Sequence, residues 1–566
     1  MKSRSVLGIA ILVIAGGALG PLPAAGAAEP AAAAEASAEA RQAVPAPDAD
    51  KGGAQTQVTP GEESTPTPLL TATDSKTYQQ QKKAAATAPS GDRPDVPPVR
   101  GGPTTQVVTT LFNGLDRPGS ANNGSVFNPP DTIVGKSPNR IVEATNSAVR
   151  LSTATGTALQ TLDLNTFTGA AIADGRLFDP KVYYDRNAAN PRVFVTALQV
   201  AGRDNTNAAD DVSRIWIAIS RAADPASLSA GWCFYNIEGR RNVGTADASW
   251  SDYPGLGAGA DSFSVTTNQF RFTNRTFTFA IIRTFNKTIA ENNAASCPTI
   301  PFFTFQPAAT AGDGTQFTIQ PAQHYTSPSS FLNTTNPAYF LSTTSGTSNQ
   351  YHVWRVRNVA SGAPTLAHLI LTSTGYGVPP DSPQPGGTGV LIDTGDNRIL
   401  QTGAIGNTVI GTLTTVCNFT GGTANESCTL TPRVAVGATA TGGLTASIVV
   451  NVFTGLGDNI FVHHNSIAPN SALQAAATWE FSGAGAFLSS EAMIASTGGG
   501  WTRVQTYAPG TCTLPATAPS TTTARSGDYS GAQTDPNLNT QWIAGEQAVT
   551  ISGTCQWRTR IAQHVP

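Results

Sequence analysis

SDYPGLGAGADSFSVTTN (251–268) sets an aspartate in a proline-glycine turn a few residues ahead of a β-branched run. A turn aspartate accepts hydrogen bonds from backbone N–H groups just beyond it, and Phe263 to Asn268 has strand character. Comparable runs recur: IVEATN from Ile141, VFVTAL from Val193, YFLSTT from Tyr339, TVIGTL from Thr408, IFVHHN from Ile460 and WIAGE from Trp542. With FSVTTN from Phe263 they start 52 to 82 residues apart. Five have an aspartate in a preceding turn: Asp131 in PPDT, Asp179 in FDPK, Asp252 in SDYP, Asp396 in GDNR and Asp528 in GDYS. A unit of that length made only of short strands reads as one four-stranded blade. Blades closed in a ring form a β-propeller with no long free sheet edge. The expected fold is therefore all-β, a propeller of seven blades by spacing, with six to eight compatible.

Working outward, the propeller is assigned to residues 105–566. Residues 1–27 read as a secretory signal: Lys2 and Arg4, an apolar run from Val6 to Leu19, and small residues to Ala27. Residues 28–104 are rich in Ala, Pro and Glu with hardly an aromatic, and read as a disordered linker. An even number of cysteines in an exported chain points to disulfides, expected as Cys417–Cys428, Cys233–Cys297 and Cys512–Cys555. The formal net charge of -3 with 13% charged residues leaves no basic footprint for nucleic acid, and no stretch beyond the signal suits membrane insertion. Oligomeric state is not legible.

The stretches NPPDTIVGKSPNRIVEATN (128–146), FDPKVYYD (178–185), WSDYPGLGAGAD (250–261), IDTGDNR (392–398) and SGDYSG (526–531) together resemble a broad group of secreted bacterial propeller-like proteins. Members carry PPDT, DPxVxYD, DYPxxG, GDxR and WGDYS motifs in this order. The resemblance covers nearly the whole chain after the linker and implies secretion and the propeller fold; it implies no activity. Ser526 stands where the group has tryptophan.

Repetition at equivalent places is what scaffolding demands, so Asp131, Asp252, Asp396 and Asp528 read first as turn braces and second as ligand-binding groups on the face where the blade loops converge. Glycoside hydrolysis would need two unlike carboxyl groups close together, for which Asp179, at a strand mouth, and Glu546, closing WIAGE, are the candidates. A sialidase would need an arginine cluster; Arg140, Arg192, Arg214, Arg271 and Arg398 are scattered over the repeats. Trp250, beside a turn, is the tryptophan expected to be exposed as a sugar platform, whereas Trp216, Trp354 and Trp542 read as blade core. His463 and His464 are expected to point to opposite faces of a strand, so no metal site is assigned. Calcium bridging Asp393 and Asp396 would suit hard oxygen ligands, although no EF-hand spacing supports it. GLGAGA (255–260) precedes a strand, not a helix, and is rejected as a dinucleotide fingerprint. The function expected is an extracellular recognition module for a glycan or protein. The alternatives are a glycoside hydrolase and a structural surface or matrix protein.

Overall fold

The computed structural model describes the backbone of residues 39–43, residues 70–89, part of 94–98, and most of 107–565 apart from loop segments such as 118–126, 203–209 and 326–336. The region read as a signal peptide lies outside the described residues. Seven antiparallel sheets form the blades of a β-propeller. Their innermost strands are Ile133–Lys136, Leu177–Asp185, Ser249–Ala258, Gln316–Pro321, Ile399–Ile405, Ile460–Pro469 and Gly531–Thr534, and each touches the next around the ring. Blade 7 combines three C-terminal strands with Val107–Asp116, which pairs with Thr554–Val565 from Val107 opposite Val565. The two ends of the propeller region thereby close the circle.

Burial follows position within the blade. Arg192–Ala201, second in blade 2, is buried on both faces, so it reads as a near-continuous apolar and β-branched run. The outermost strand of blade 5, Leu444–Thr454, alternates between partly buried and exposed along LTASIVV, the signature of one face meeting water. Six of the seven recurring runs are second strands. The exception is IFVHHN, which opens the innermost strand of blade 6; the equivalent run there is TWEFSG, within Ala475–Gly483. That one-strand offset explains the uneven gaps on either side of Ile460. Trp216, Trp354 and Trp542 are buried as expected, and within GLGAGA a Cβ on Gly257 would stand 2.5 Å from the Ala322 carbonyl oxygen. Glycine there permits two strands to approach, which is a packing role.

Part of the stretch read as a linker is built into the propeller. Glu39–Ala43 pairs with Ile300–Phe305 as an extra strand of blade 3, and Asp95–Val96 pairs with Thr408–Phe419 of blade 5. Between them lies helix α1, Ser75–Thr87, capped by Asp74, whose carboxylate accepts the Thr77 N–H at 3.0 Å. Tyr78, Lys82 and Ala85 recur at helical spacing and are buried. Tyr78 donates to Asp393 (2.8 Å), and Lys82 makes ion pairs with Asp381 (2.9 Å) and Asp393 (3.2 Å). Mean composition hides this helix because one apolar-to-cationic stripe docks it.

Two of the three expected disulfides form. Cys233–Cys297 and Cys512–Cys555 have Cα separations of 5.3 and 5.8 Å, inside the range a disulfide bridges. Cys417 and Cys428 are instead buried free thiols. The ladder sets Cys417 opposite Glu426 and Cys428 opposite Thr415, so the cysteines are diagonal neighbours whose thiols lie in contact without being joined.

Peptide mapping without reduction should recover the two bridged pairs and alkylate Cys417 and Cys428 only after unfolding; a disulfide-linked Cys417–Cys428 peptide would show that these thiols are not free. Lys82→Met should strand two buried carboxylates, a loss of about 3–5 kcal/mol if α1 stays docked. The helix should therefore release, becoming protease-sensitive within 75–87 while the ring stays resistant. Wild-type resistance in this variant would show that the ion pairs do not hold α1.

Candidate functional site

The innermost strands of blades 2, 3, 4 and 6 each contain a β-bulge near the start, at Phe178/Lys181, Asp252/Gly255, Phe317/Gln320 and His463/Ser466. Every one holds a non-glycine residue in the left-handed region: Asp179 (φ 49°), Tyr253 (49°), Thr318 (58°) and His464 (46°). Asp131, just ahead of the innermost strand of blade 1, shares it at 51°. The recurring element is thus a left-handed backbone position, filled by aspartate in only two blades. In blade 3 Tyr253 holds the place, one residue beyond Asp252.

These residues tie blade to blade. Asp131 accepts the Asp528 N–H at 2.6 Å on one oxygen and the Asn146 side-chain amide at 2.6 Å on the other. Asn146 in turn accepts the Asp179 N–H at 2.6 Å, and Asp179 accepts the Tyr253 N–H at 3.1 Å. Asn268 repeats the Asn146 role, accepting the Thr318 N–H at 2.8 Å. Blades 7, 1, 2 and 3 are joined by this chain, and blades 3 and 4 by the Asn268 link. A strained left-handed residue costs about 1–3 kcal/mol. A neutral hydrogen bond returns about 0.5–1.5 kcal/mol. The clamps therefore offset part of the strain at Asp179, Tyr253 and Thr318.

The two DY motifs meet at the same place. Tyr253 and Tyr529 pack edge to face with centroids 5.8 Å apart, and the Tyr253 hydroxyl donates to the Asp528 carbonyl at 3.3 Å. Lys181 lies over both rings, 2.7 Å from the Tyr529 centroid, and the Arg398 guanidinium lies 4.4 Å from the Tyr253 centroid. Burial pushes the Asp131 and Asp179 carboxyls well above the usual range, Asp131 further raised by Asp528 and Asp179, and Asp179 by Asp252 and Asp528. Burial likewise draws Lys181 down to about 7 against the opposing pull of these aspartates. Asp252 and Asp528 are half-buried.

Several expected site residues are placed differently. Trp250 is fully buried beside Phe270 and offers no exposed platform. Asp396 is spent on Arg398, with paired contacts of 2.7 and 2.8 Å. Burial alone would raise Asp393, but Lys82 and Arg525 outweigh it and hold the group at about 2. Cations of the chain itself thus neutralise the two carboxylates expected to bridge calcium. Glu546 is buried beside Glu480 and Asp131, accepting the Thr132 N–H at 3.2 Å, whereas the carboxylates that act on Asp179 are Asp252 and Asp528. Of the five scattered arginines, Arg398 reaches this cluster; Arg271 pairs with Asp247 in a partly exposed ion pair. Lys181 and Arg525, the latter paired with Asp528, were not singled out by the sequence, although each lies within three residues of a motif aspartate.

The bulge at His464 also overturns the expectation for the histidine pair. His464 and Asn465 together oppose the single residue Trp479 on the partner strand, and the left-handed turn brings both imidazoles to one side. Their Nδ1 atoms are 3.1 Å apart, and Glu480 Oε2 lies 3.5 Å from His463 Nδ1 and 3.2 Å from His464 Nδ1. All three residues are buried.

No family model and no curated protein matches the chain. Solved structures with related chain paths include the Fusarium graminearum α-L-arabinofuranosidase Arb93A (8% identity, TM-score 0.33, covering 80% of this chain and 97% of that one). The Trypanosoma rangeli sialidase (7%, 0.34, 80% and 60%) and Drosophila Plexin A bound to Semaphorin 1b (6%, 0.29, 83% and 88%) are also among them. At this distance they carry no argument about the site.

A carboxyl whose folded pKa is raised binds its proton more tightly in the native state, so wild-type stability falls as pH rises from the unfolded value toward the folded one. Asp179→Asn can still accept the Tyr253 N–H and has no such slope. Its melting temperature should gain on wild type as pH goes from about 4 to about 8. A constant difference over that range would show that Asp179 does not titrate there.

Proposed function

We propose that the chain is a secreted propeller that recognises an extracellular glycan or protein at the face where the innermost strands begin. The observation that carries this reading is the convergence there of Tyr253, Tyr529, Lys181 and Arg398 with the half-buried Asp252 and Asp528. Aromatic rings beside charged and hydrogen-bonding groups suit a polyhydroxylated or polar ligand. Both oxygens of Asp131 and one oxygen of Asp179 are committed to groups of the chain, which favours retention over turnover.

Glycoside hydrolysis is the second reading, favoured by the unlike surroundings of the carboxyl groups: Asp131 and Asp179 are held toward the neutral form while Asp252 and Asp528 lie nearer solvent. Glycan-array screening combined with product analysis separates the two. Under the recognition reading, wild type retains ligand without releasing product, and Asp252→Asn weakens retention by about tenfold or more with an unchanged melting temperature. Product formation that disappears in Asp179→Asn would replace recognition by hydrolysis. Absence of both retention and product across glycans and extracellular proteins would leave a structural component.

A further inference from the structure

We propose that His463, His464 and Glu480 form a binding site for one divalent transition-metal ion, with zinc the best fit. The inference is independent of the ligand-recognition reading and rests on the shape of the donor triangle. Its edges, 3.1, 3.2 and 3.5 Å, run between His463 Nδ1, His464 Nδ1 and Glu480 Oε2. Tetrahedral zinc with bonds of about 2.0–2.1 Å requires ligand-to-ligand edges of about 3.3–3.4 Å. The triangle's centre is about 1.9 Å from each donor, so an ion just off its plane reaches all three at ordinary bond lengths. Two imidazoles and a carboxylate are a donor set that zinc uses.

Hydrogen bonding within the triangle leaves it unsatisfied. Two ring nitrogens 3.1 Å apart share at most one proton, and His464 Nδ1 cannot accept it from His463 while also donating to Glu480. A cation satisfies all three lone pairs together. Charge balance points the same way. Glu480 and Glu546 are both fully buried and flank Gly527, where a Cβ would lie 3.5 Å from Glu480 Oε1 and 3.2 Å from Glu546 Oε1. Among the described residues neither glutamate pairs with a lysine or arginine, and Glu480 Oε1 and Glu546 Oε2 have no hydrogen-bond donor. Lys82, close enough to bear on His463, is already engaged by Asp381 and Asp393.

The surroundings complete the site. Ser526 donates to Glu480 Oε2 at 2.6 Å, the kind of outer hydrogen bond that fixes a ligating carboxylate. Its Oγ is 3.4 Å from His464 Nδ1, which places the fourth coordination position beside a small hydroxyl. This is the position where the resembling group carries tryptophan, whose indole would crowd that corner.

The test uses the whole chain stripped by chelator and titrated with Zn²⁺, and with Co²⁺ as a spectroscopic probe. One ion should bind per chain, zinc should raise the melting temperature, and Co²⁺ should show the intense visible bands of four-coordination. Glu480→Gln and His464→Gln should each weaken binding by about 100-fold or more and abolish the thermal shift. Ser526→Ala removes only the outer hydrogen bond and should weaken zinc by about tenfold, so it decides the matter if the ligand variants fail to fold. Wild type that takes up no stoichiometric zinc and shows no thermal shift overturns the proposal, as do Co²⁺ bands unchanged in Glu480→Gln or undiminished zinc affinity in Ser526→Ala.

Discussion

Everything in this molecule depends on one antiparallel pairing, Val107–Asp116 against Thr554–Val565. A ring of blades has no intrinsic reason to stay shut, since each blade buries its faces only against its neighbours. Supplying the outermost strand of blade 7 from the beginning of the propeller region makes opening cost a whole ladder of hydrogen bonds together with the burial of Phe112 and Leu115 at that seam. Non-local closure of this kind is what converts an array of sheets into a cooperative unit.

Closure sets the innermost strands side by side around the ring, and those of blades 2, 3, 4 and 6 bulge near their starts. The left-handed residues Asp179, Tyr253 and Thr318 turn a backbone N–H toward the neighbouring blade, where Asn146, Asp179 and Asn268 accept it. Burying Asp131 and Asp179 among other acids raises their proton affinity, and Lys181 and Arg398 are held among the same groups with their charge spread over Tyr253 and Tyr529. A single geometric device therefore produces bracing, perturbed proton affinity and the convergence of aromatic and ionic groups.

The same device decided where sequence reading succeeded. Turn aspartates and β-branched runs announce blades because their chemistry acts within a few residues. The asparagines that end IVEATN and FSVTTN stand in the sequence too, although the N–H groups they accept, those of Asp179 and Thr318, belong to the next blade. Strand periodicity failed at His463 and His464 for a definite reason: it assumes an unbroken pleat, and the bulge breaks it there. Average composition failed at Ser75–Thr87, because the buried contacts are made by a few residues, Tyr78, Lys82 and Ala85, and not by the mean of the segment. Loop length favoured Cys417 with Cys428, yet ladder register controls which residues face each other.

By itself the sequence determined the all-β class and the repetition, and its spacing favoured seven blades, since these rest on local turn chemistry and strand character. Tertiary structure alone decided which groups share a site. Asp131 with Asp528, Tyr253 with Tyr529 and Lys82 with Asp393 are 276 to 397 residues apart in the chain, and their meeting depends on the ring closing and the strands bulging. Propensity acts over one turn of backbone, whereas a site at the axis is the sum of seven blade orientations.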